Sequence, residues 1–305
     1  MDRLSELIKT RDILDKIDYN ALTEILDAYL PSVPISVIDF DNRPRAFNQT
    51  NSQSNLLYRA RLISNNGNKS FERYENITYI SAANRHKITE FGRVNKPGES
   101  IFYASTEPVV ACIETFSRGA NFNLLKEKGS LLLNVGTWKI EKPMILARMV
   151  SPEKYFEKFL EEVKSLNLKK VTIETVRKQN EEIRKILNND EEFKILEFFS
   201  EEFAKTEIKT HHDYKISNYY ADRVFDRNEK FKLKEKIDGV WYQSVPSSYQ
   251  EINLALLTET VDTKLSFLWC DTIWVIFNQD KGNIEFIPIE QRAKVNDKGI
   301  IEWKR

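Results

Sequence analysis

Phe91-Gly92-Arg93-Val94-Asn95-Lys96-Pro97-Gly98-Glu99-Ser100-Ile101-Phe102-Tyr103-Ala104-Ser105-Thr106-Glu107-Pro108-Val109-Val110-Ala111-Cys112-Ile113-Glu114-Thr115-Phe116 is the stretch on which the reading of the fold turns. Three local patterns follow one another in it. Gly92, Pro97 and Gly98 bound a loop carrying Arg93, since glycine and proline supply the dihedrals of tight turns. Ile101 to Ser105 is a short β-favouring run containing Tyr103. After Ser105 and Thr106, either of which suits an N-cap, a helix is predicted with Val109, Ile113 and Phe116 as its buried stripe. Glu114 lies one turn from Val110 and beside Ile113, at the margin of that stripe. A carboxylate there either snorkels to solvent or is held in a pocket.

Upstream, Leu56 to Ile63 alternates as a strand, with Leu56, Tyr58, Ala60 and Leu62 on one face. Arg59 and Arg61 share the other face with Leu57 and Ile63; taken alone, that reads as a solvated strand face. Residues 1 to about 30 have helical spacing, from Leu4, Leu7 and Ile8 to a second helix over Asp18 to Tyr29 that Pro31 and Pro34 stop. Residues 35 to 55 read as a loop or linker. Downstream, Leu131 to Val135 and Met144 to Val150 are strand-like, with Pro143 between them.

From 152 to about 225 the pattern turns helical and charged. Ser151-Pro152-Glu153 is a helix start, followed by Phe156, Phe159, Leu160 and Val163. Further helices are predicted over Val176 to Leu187, Phe193 to Phe203 and Ile216 to Phe225. Strands return at Gly239 to Ser244, Ile252 to Thr258, Ile273 to Phe277 and Ile284 to Ile287. On that face Val240, Tyr242 and Ser244 align, with Ser244 at the strand end before Pro246. Strands on both sides of a helical middle predict an α+β fold. The expected division is a helical cap and linker over 1–55 and a second domain over 56–305 with a helical insertion at about 152–210.

The 305 residues hold 46 basic and 46 acidic side chains, 41% apolar and 11% aromatic residues. That composition suits a globular core and excludes a disordered chain. Zero formal net charge argues against nucleic acid as the main partner. Two cysteines, Cys112 and Cys270, make neither a disulfide framework nor a zinc cluster. With no apolar leader after Met1 and no run near the ~18 apolar residues of a membrane span, a cytoplasmic protein with no membrane contact is expected.

The chain has no G-x-x-x-x-G-K-[ST], G-x-G-x-x-G or G-x-S-x-G, so P-loop, dinucleotide-fold and hydrolase-elbow readings lack their glycines. Its three histidines, His86, His211 and His212, are too few for most metal sites, and no metal is expected. No arginine stands four to six residues before a histidine.

Three segments, taken together, resemble the RES-domain family, named for its Arg, Glu and Ser. Tyr58-Arg59 matches the family's opening W/Y-R, and Gly92-Arg93-Val94-Asn95-Lys96-Pro97-Gly98 matches its G-R-x-N-x-P-G loop. Tyr103 follows Arg93 by ten residues and Glu114 follows Tyr103 by eleven, as in that pattern. Gly239-Val240-Trp241-Tyr242-Gln243-Ser244 and Asn253-Leu254-Ala255-Leu256 match the later G-[IV]-x-Y-x-S and N-L-A-L elements. Tyr214 to Arg223 is similar to the helix that precedes the family's Ser strand. The resemblance covers roughly 56 to 260. Val94 departs from it where an aromatic is usual, and the 152–210 stretch is longer than a compact member has.

The resemblance implies an ADP-ribosyltransferase-like mixed β core and a bacterial toxin that consumes NAD⁺, with an antitoxin or regulatory protein as partner. Members cleave the nicotinamide–ribose bond by hydrolysis or phosphorolysis, or transfer ADP-ribose to a protein; a non-catalytic nucleotide-binding module is the alternative of another class. Cleavage passes through an oxocarbenium-like transition state and releases nicotinamide as a neutral ring, so no general acid is required. The resemblance implies Glu114 as partner of the ribose and its developing charge, and Arg93 and Arg59 as phosphate or ribose binders. It implies Tyr103 stacked on nicotinamide and Ser244 hydrogen-bonded to the amide or ribose. Arg61 and Asn253 belong to the same expected pocket. Phosphate is an expected co-substrate, held by the Arg59 and Arg61 pair. An antiphage role fits such a toxin, and regulatory or homo-oligomer contacts are expected of the N-terminal cap and the insertion.

Overall fold

The computed structural model describes residues 3–40, 55–63, 70–116, 119–153, 155, 173–187, 189–230, 236–245, 247, 251–280 and 282–303. Helix α1 (Arg3–Lys9) runs into a 3₁₀ turn, and α2 (Tyr19–Tyr29) starts where the Asp18 carboxylate accepts the Ala21 N–H at 2.8 Å. There follow β1 (Ser36–Phe40), β2 (Leu56–Leu62), β3 (Ile101–Ser105), α3 (Pro108–Phe116), α4 (Gly119–Lys128), β4 (Ser130–Ile140) and β5 (Met144–Arg148). The helical middle supplies α5 (Ile173–Ile186), α6 (Asp190–Phe203) and α7 (Lys215–Lys230). Then come β6 (Gly239–Gln243), β7 (Ile252–Leu257), α8 (Thr258–Lys264), β8 (Leu265–Asn278), β9 (Asn283–Val295) and β10 (Ile301–Glu302). The fold is α+β.

Two compact units divide these elements, and each draws on separated stretches of chain. The first comprises Met1–Phe40, Ala83–Glu99 and Met144–Gln250. Here β1 pairs antiparallel with β5, and β5 pairs parallel with β6. Helix α6 begins at an Asn189 cap that accepts from the Glu192 N–H, and the acidic side chains of its first turn suit the helix dipole. Its aromatics bind it to its neighbours: Phe199 lies 5.0 Å from Tyr220 of α7, and Phe203 lies 5.4 Å from Tyr242 of β6. The fully buried Glu202 accepts from Arg11 Nε at 2.6 Å and pairs with Lys205 Nζ at 2.5 Å, tying the N-terminal turn to α6.

The second unit comprises Asp41–Ala82, Ser100–Pro143 and Glu251–Arg305. Its strands form an antiparallel sheet in the order β7-β3-β2-β4-β8-β9-β10. Cys112, Phe116 and Leu125 from the helices pack with Leu131, Leu133, Val135 and Val275 from β4 and β8. Tyr58, Ala60 and Leu62 join that cluster, as their strand alternation predicts. Trp138, fully buried, meets Phe102 edge-on at 4.8 Å and Phe267 at 5.1 Å.

Several details differ from the sequence reading, which does not foresee α4, α8 and β10. Residues 36–40, read as loop or linker, are strand β1; Val37 is 52% exposed, so the strand depends on its long-range pairing with β5, which no local pattern reveals. Residues 41–54 lie outside the described residues, as do Phe156, Phe159, Leu160 and Val163. Helix α3 buries Val110, Ala111, Cys112 and Phe116, whereas Val109 is exposed. That helix starts late, with the Glu107 carbonyl accepting the Ala111 N–H, so neither Ser105 nor Thr106 caps it.

Candidate functional site

In the second unit, β3 and β7 run antiparallel with Ser105 opposite Asn253 and Tyr103 opposite Ala255. Opposed residues share a sheet face, so Ser105 and Asn253 meet directly. The Ser105 hydroxyl donates to Asn253 Oδ1, and Asn253 Nδ2 donates to Glu114 Oε1 at 2.6 Å. Ser105 and Asn253 are buried, and Glu114 is half-buried on α3. The next residue, Thr115, donates its hydroxyl to the carbonyl of Ala60 on β2 at 3.2 Å, which pins this turn of α3 to the sheet. Of the two alternatives for Glu114, the structure gives a carboxylate held by an amide.

Arg59 leaves β2 on the other side of the alternation. Its guanidinium lies 5.3 Å from the ring centre of Phe102, and Nη1 donates to the carbonyl of Tyr103 at 2.9 Å. The Arg59 Nε is buried without a hydrogen-bond partner among the described residues. Burial and then the neighbouring Arg61 push the Arg59 guanidinium down to about 9, and burial alone pulls Arg61 below its ordinary value. Neither has a carboxylate partner among the described residues. The face they share with buried Leu57 and Ile63 is not the solvated face that the segment suggests alone: Arg59 and Arg61 are themselves partly buried, and Phe102 lies against Arg59. Unneutralised cations in such surroundings favour an anion, and guanidiniums match phosphate oxygens bidentately.

The structure therefore gathers Arg59, Arg61, Tyr103, Glu114 and Asn253 in one unit, while Arg93 and Ser244 belong to the other. Both terminal nitrogens of Arg93 donate to carbonyls at the end of α6, to Phe203 and, at 3.2 Å, to Lys205. Its guanidinium also lies 5.4 Å from the ring centre of Tyr214. Asn218 Nδ2 donates to the carbonyls of Gly92 and Tyr214, which anchors the Gly-Arg loop on α7. Lys96 of the same loop bonds Asp222 at 2.8 Å, and Asp222 also accepts from Tyr19 at 2.6 Å. Ser244 is fully buried, and its hydroxyl accepts the Ser247 N–H at 3.4 Å in a turn.

Sequence reasoning missed Ser105, although a signal was present: it stands two residues after Tyr103 and so shares its strand face. Asn218 and Asp222 carry a comparable signal, one turn apart on α7. Cys112 and Cys270 are buried, with burial pushing the Cys112 thiol up to about 12 and the Cys270 thiol up as well, so neither suits a nucleophile. Among the described residues no group of three or more His, Cys, Asp or Glu side chains is arranged to hold a metal ion, and no helix is long and apolar enough to cross a membrane.

No family model matches this chain, and no curated protein matches it.

Proposed function

We propose that this chain is an NAD⁺-consuming enzyme of the RES type, with an ADP-ribosyltransferase-like core, that cleaves the nicotinamide–ribose bond. The observation that carries this reading is a pair of guanidiniums without carboxylate partners among the described residues, in the same unit as a glutamate held by an amide. The cations suit a diphosphate and the carboxylate suits a ribose. The order and spacing of the Arg93, Tyr103, Glu114 and Ser244 motifs add the family resemblance.

In this reading Arg59 and Arg61 bind the diphosphate, and Tyr103 lies against the nicotinamide, whose cationic ring favours an aromatic face. Glu114 accepts from the ribose hydroxyls and complements the positive charge that develops on C1′ as the bond to nitrogen breaks. The bonding pair leaves with nicotinamide, so the departing ring is neutral and needs no proton. Water or phosphate then adds to C1′, giving ADP-ribose or its 1″-phosphate. Arg93 and Ser244 act through the loop and strand they hold. Turnover of this kind depletes the cell's NAD⁺, which accords with a toxin kept in check by an antitoxin.

The test is nicotinamide release from NAD⁺ by purified protein, with and without phosphate, beside a Glu114→Ala variant. Release that the substitution reduces by at least about 100-fold supports the reading, and its phosphate dependence names the acceptor. Full turnover by Glu114→Ala, or label from NAD⁺ appearing covalently on protein instead of free products, would overturn it.

A further inference from the structure

We infer that Ser105 and Asn253 are positioning residues for Glu114, a two-link relay that fixes the direction of its carboxylate; the inference rests on the catalytic reading of Glu114 given above. Two buried polar side chains stand here among apolar strand residues, with Phe102 and Ala104 on β3 and Leu254, Ala255 and Leu256 on β7 all buried or nearly so. Packing alone would be served by an apolar pair at these opposed positions, since a buried polar group costs free energy unless it is bonded.

The polarity of the relay is set by its ends. Asn253 Nδ2 faces Glu114 Oε1 at 2.6 Å, and Oδ1 faces the Ser105 hydroxyl. Turning the amide over would set its oxygen against the carboxylate oxygen, acceptor against acceptor, so the accepting oxygen of Glu114 selects the observed orientation. The hydroxyl of Ser105 then completes the amide oxygen and holds the side chain upright. The backbone register of Ser105 opposite Asn253 supplies the rigidity, because both links stand on paired strands and not on loops. Glu114 sits on α3, an element separate from those strands, so the relay couples the helix to the sheet at the carboxylate itself.

Such a relay acts on geometry at the transition state more than on ground-state binding. Ser105→Ala is expected to lower kcat for nicotinamide release about 10-fold, and Asn253→Leu about 100-fold, with KM changed less than about 3-fold. Ser105→Thr, which keeps a hydroxyl, is expected to restore most of the loss. A second readout does not need turnover: in urea unfolding, the effects of Asn253→Leu and Glu114→Ala are expected to be non-additive, because each removes the same hydrogen bond. Unchanged kcat in both variants, or simple additivity in the Asn253→Leu and Glu114→Ala unfolding cycle, would overturn the relay. If the parent protein releases no nicotinamide, the catalytic reading of Glu114 fails separately, and the unfolding cycle alone then decides whether the relay holds the carboxylate.

Discussion

Gly136 stands opposite Arg59 across β2 and β4, and a Cβ at Gly136 would come within 2.5 Å of the ring of Trp138. The ring has nowhere to go: it is fully buried, with Phe102 and Phe267 against it. Gly136→Ala is therefore expected to destabilise the second unit by about 2 kcal/mol, read as a lower urea midpoint with an unchanged slope.

Arg59 is a cation that the fold buries without a carboxylate partner among the described residues, a state that costs stability and suits a binding site. Arg59→Met is expected to raise stability by about 1 kcal/mol while abolishing pyrophosphate binding in calorimetry. The pH dependence follows from the direction of the shift. The folded-state value is about 9, below the ordinary arginine value, so between them the folded state holds fewer protons than the unfolded one. The gain from Arg59→Met is thus full below pH 9 and shrinks as pH rises through it. Equal gains at pH 7.5 and 10.5 would contradict the assignment.

Removing Arg11 leaves the fully buried Glu202 with Lys205 as its one ion-pair partner among the described residues. Arg11→Met is expected to cost about 2 kcal/mol in denaturant unfolding, since a buried carboxylate loses a charged donor. Glu202→Gln in the same background is expected to recover part of that loss, and a simple sum of the two single effects would count against the coupling.

Arg93 donates through both terminal nitrogens to carbonyls at the end of α6, a geometry that a lysine cannot reproduce. Arg93→Lys is expected to lose about 1–2 kcal/mol of stability. Hydrogen exchange at Ala204, whose N–H bonds the carbonyls of Ser200 and Glu201, is expected to quicken in the variant.

Local pattern made most of the strands and most helices legible. The alternation at Leu56 to Ile63 and the helical spacing at Phe193 to Phe203 both correspond to observed elements, because each buries a face that its own residues define. What depended on distant partners was hidden. Ser36 to Phe40 becomes a strand only beside β5, and the hydroxyl of Ser105, a fair N-cap by sequence, turns instead to Asn253 on β7. The candidate residues are named from residue types at spacings, which do not state that Arg93 and Ser244 belong to a different unit from the rest. The Asn253–Glu114 bond was not legible either, since nothing in the sequence states that Asn253 stands opposite Ser105 in the strand register.

The bonds from Arg93 to the end of α6 also bear on how the chain is made. The two partners Arg93 and Phe203 lie 110 residues apart, and Arg93 leaves the ribosome first. At ordinary elongation rates the gap is roughly 5–20 s, during which the Gly-Arg loop has no helix end to hold it. A nascent chain therefore carries this loop without its partners at the end of α6, and the first unit is complete only after residues near 250 have emerged.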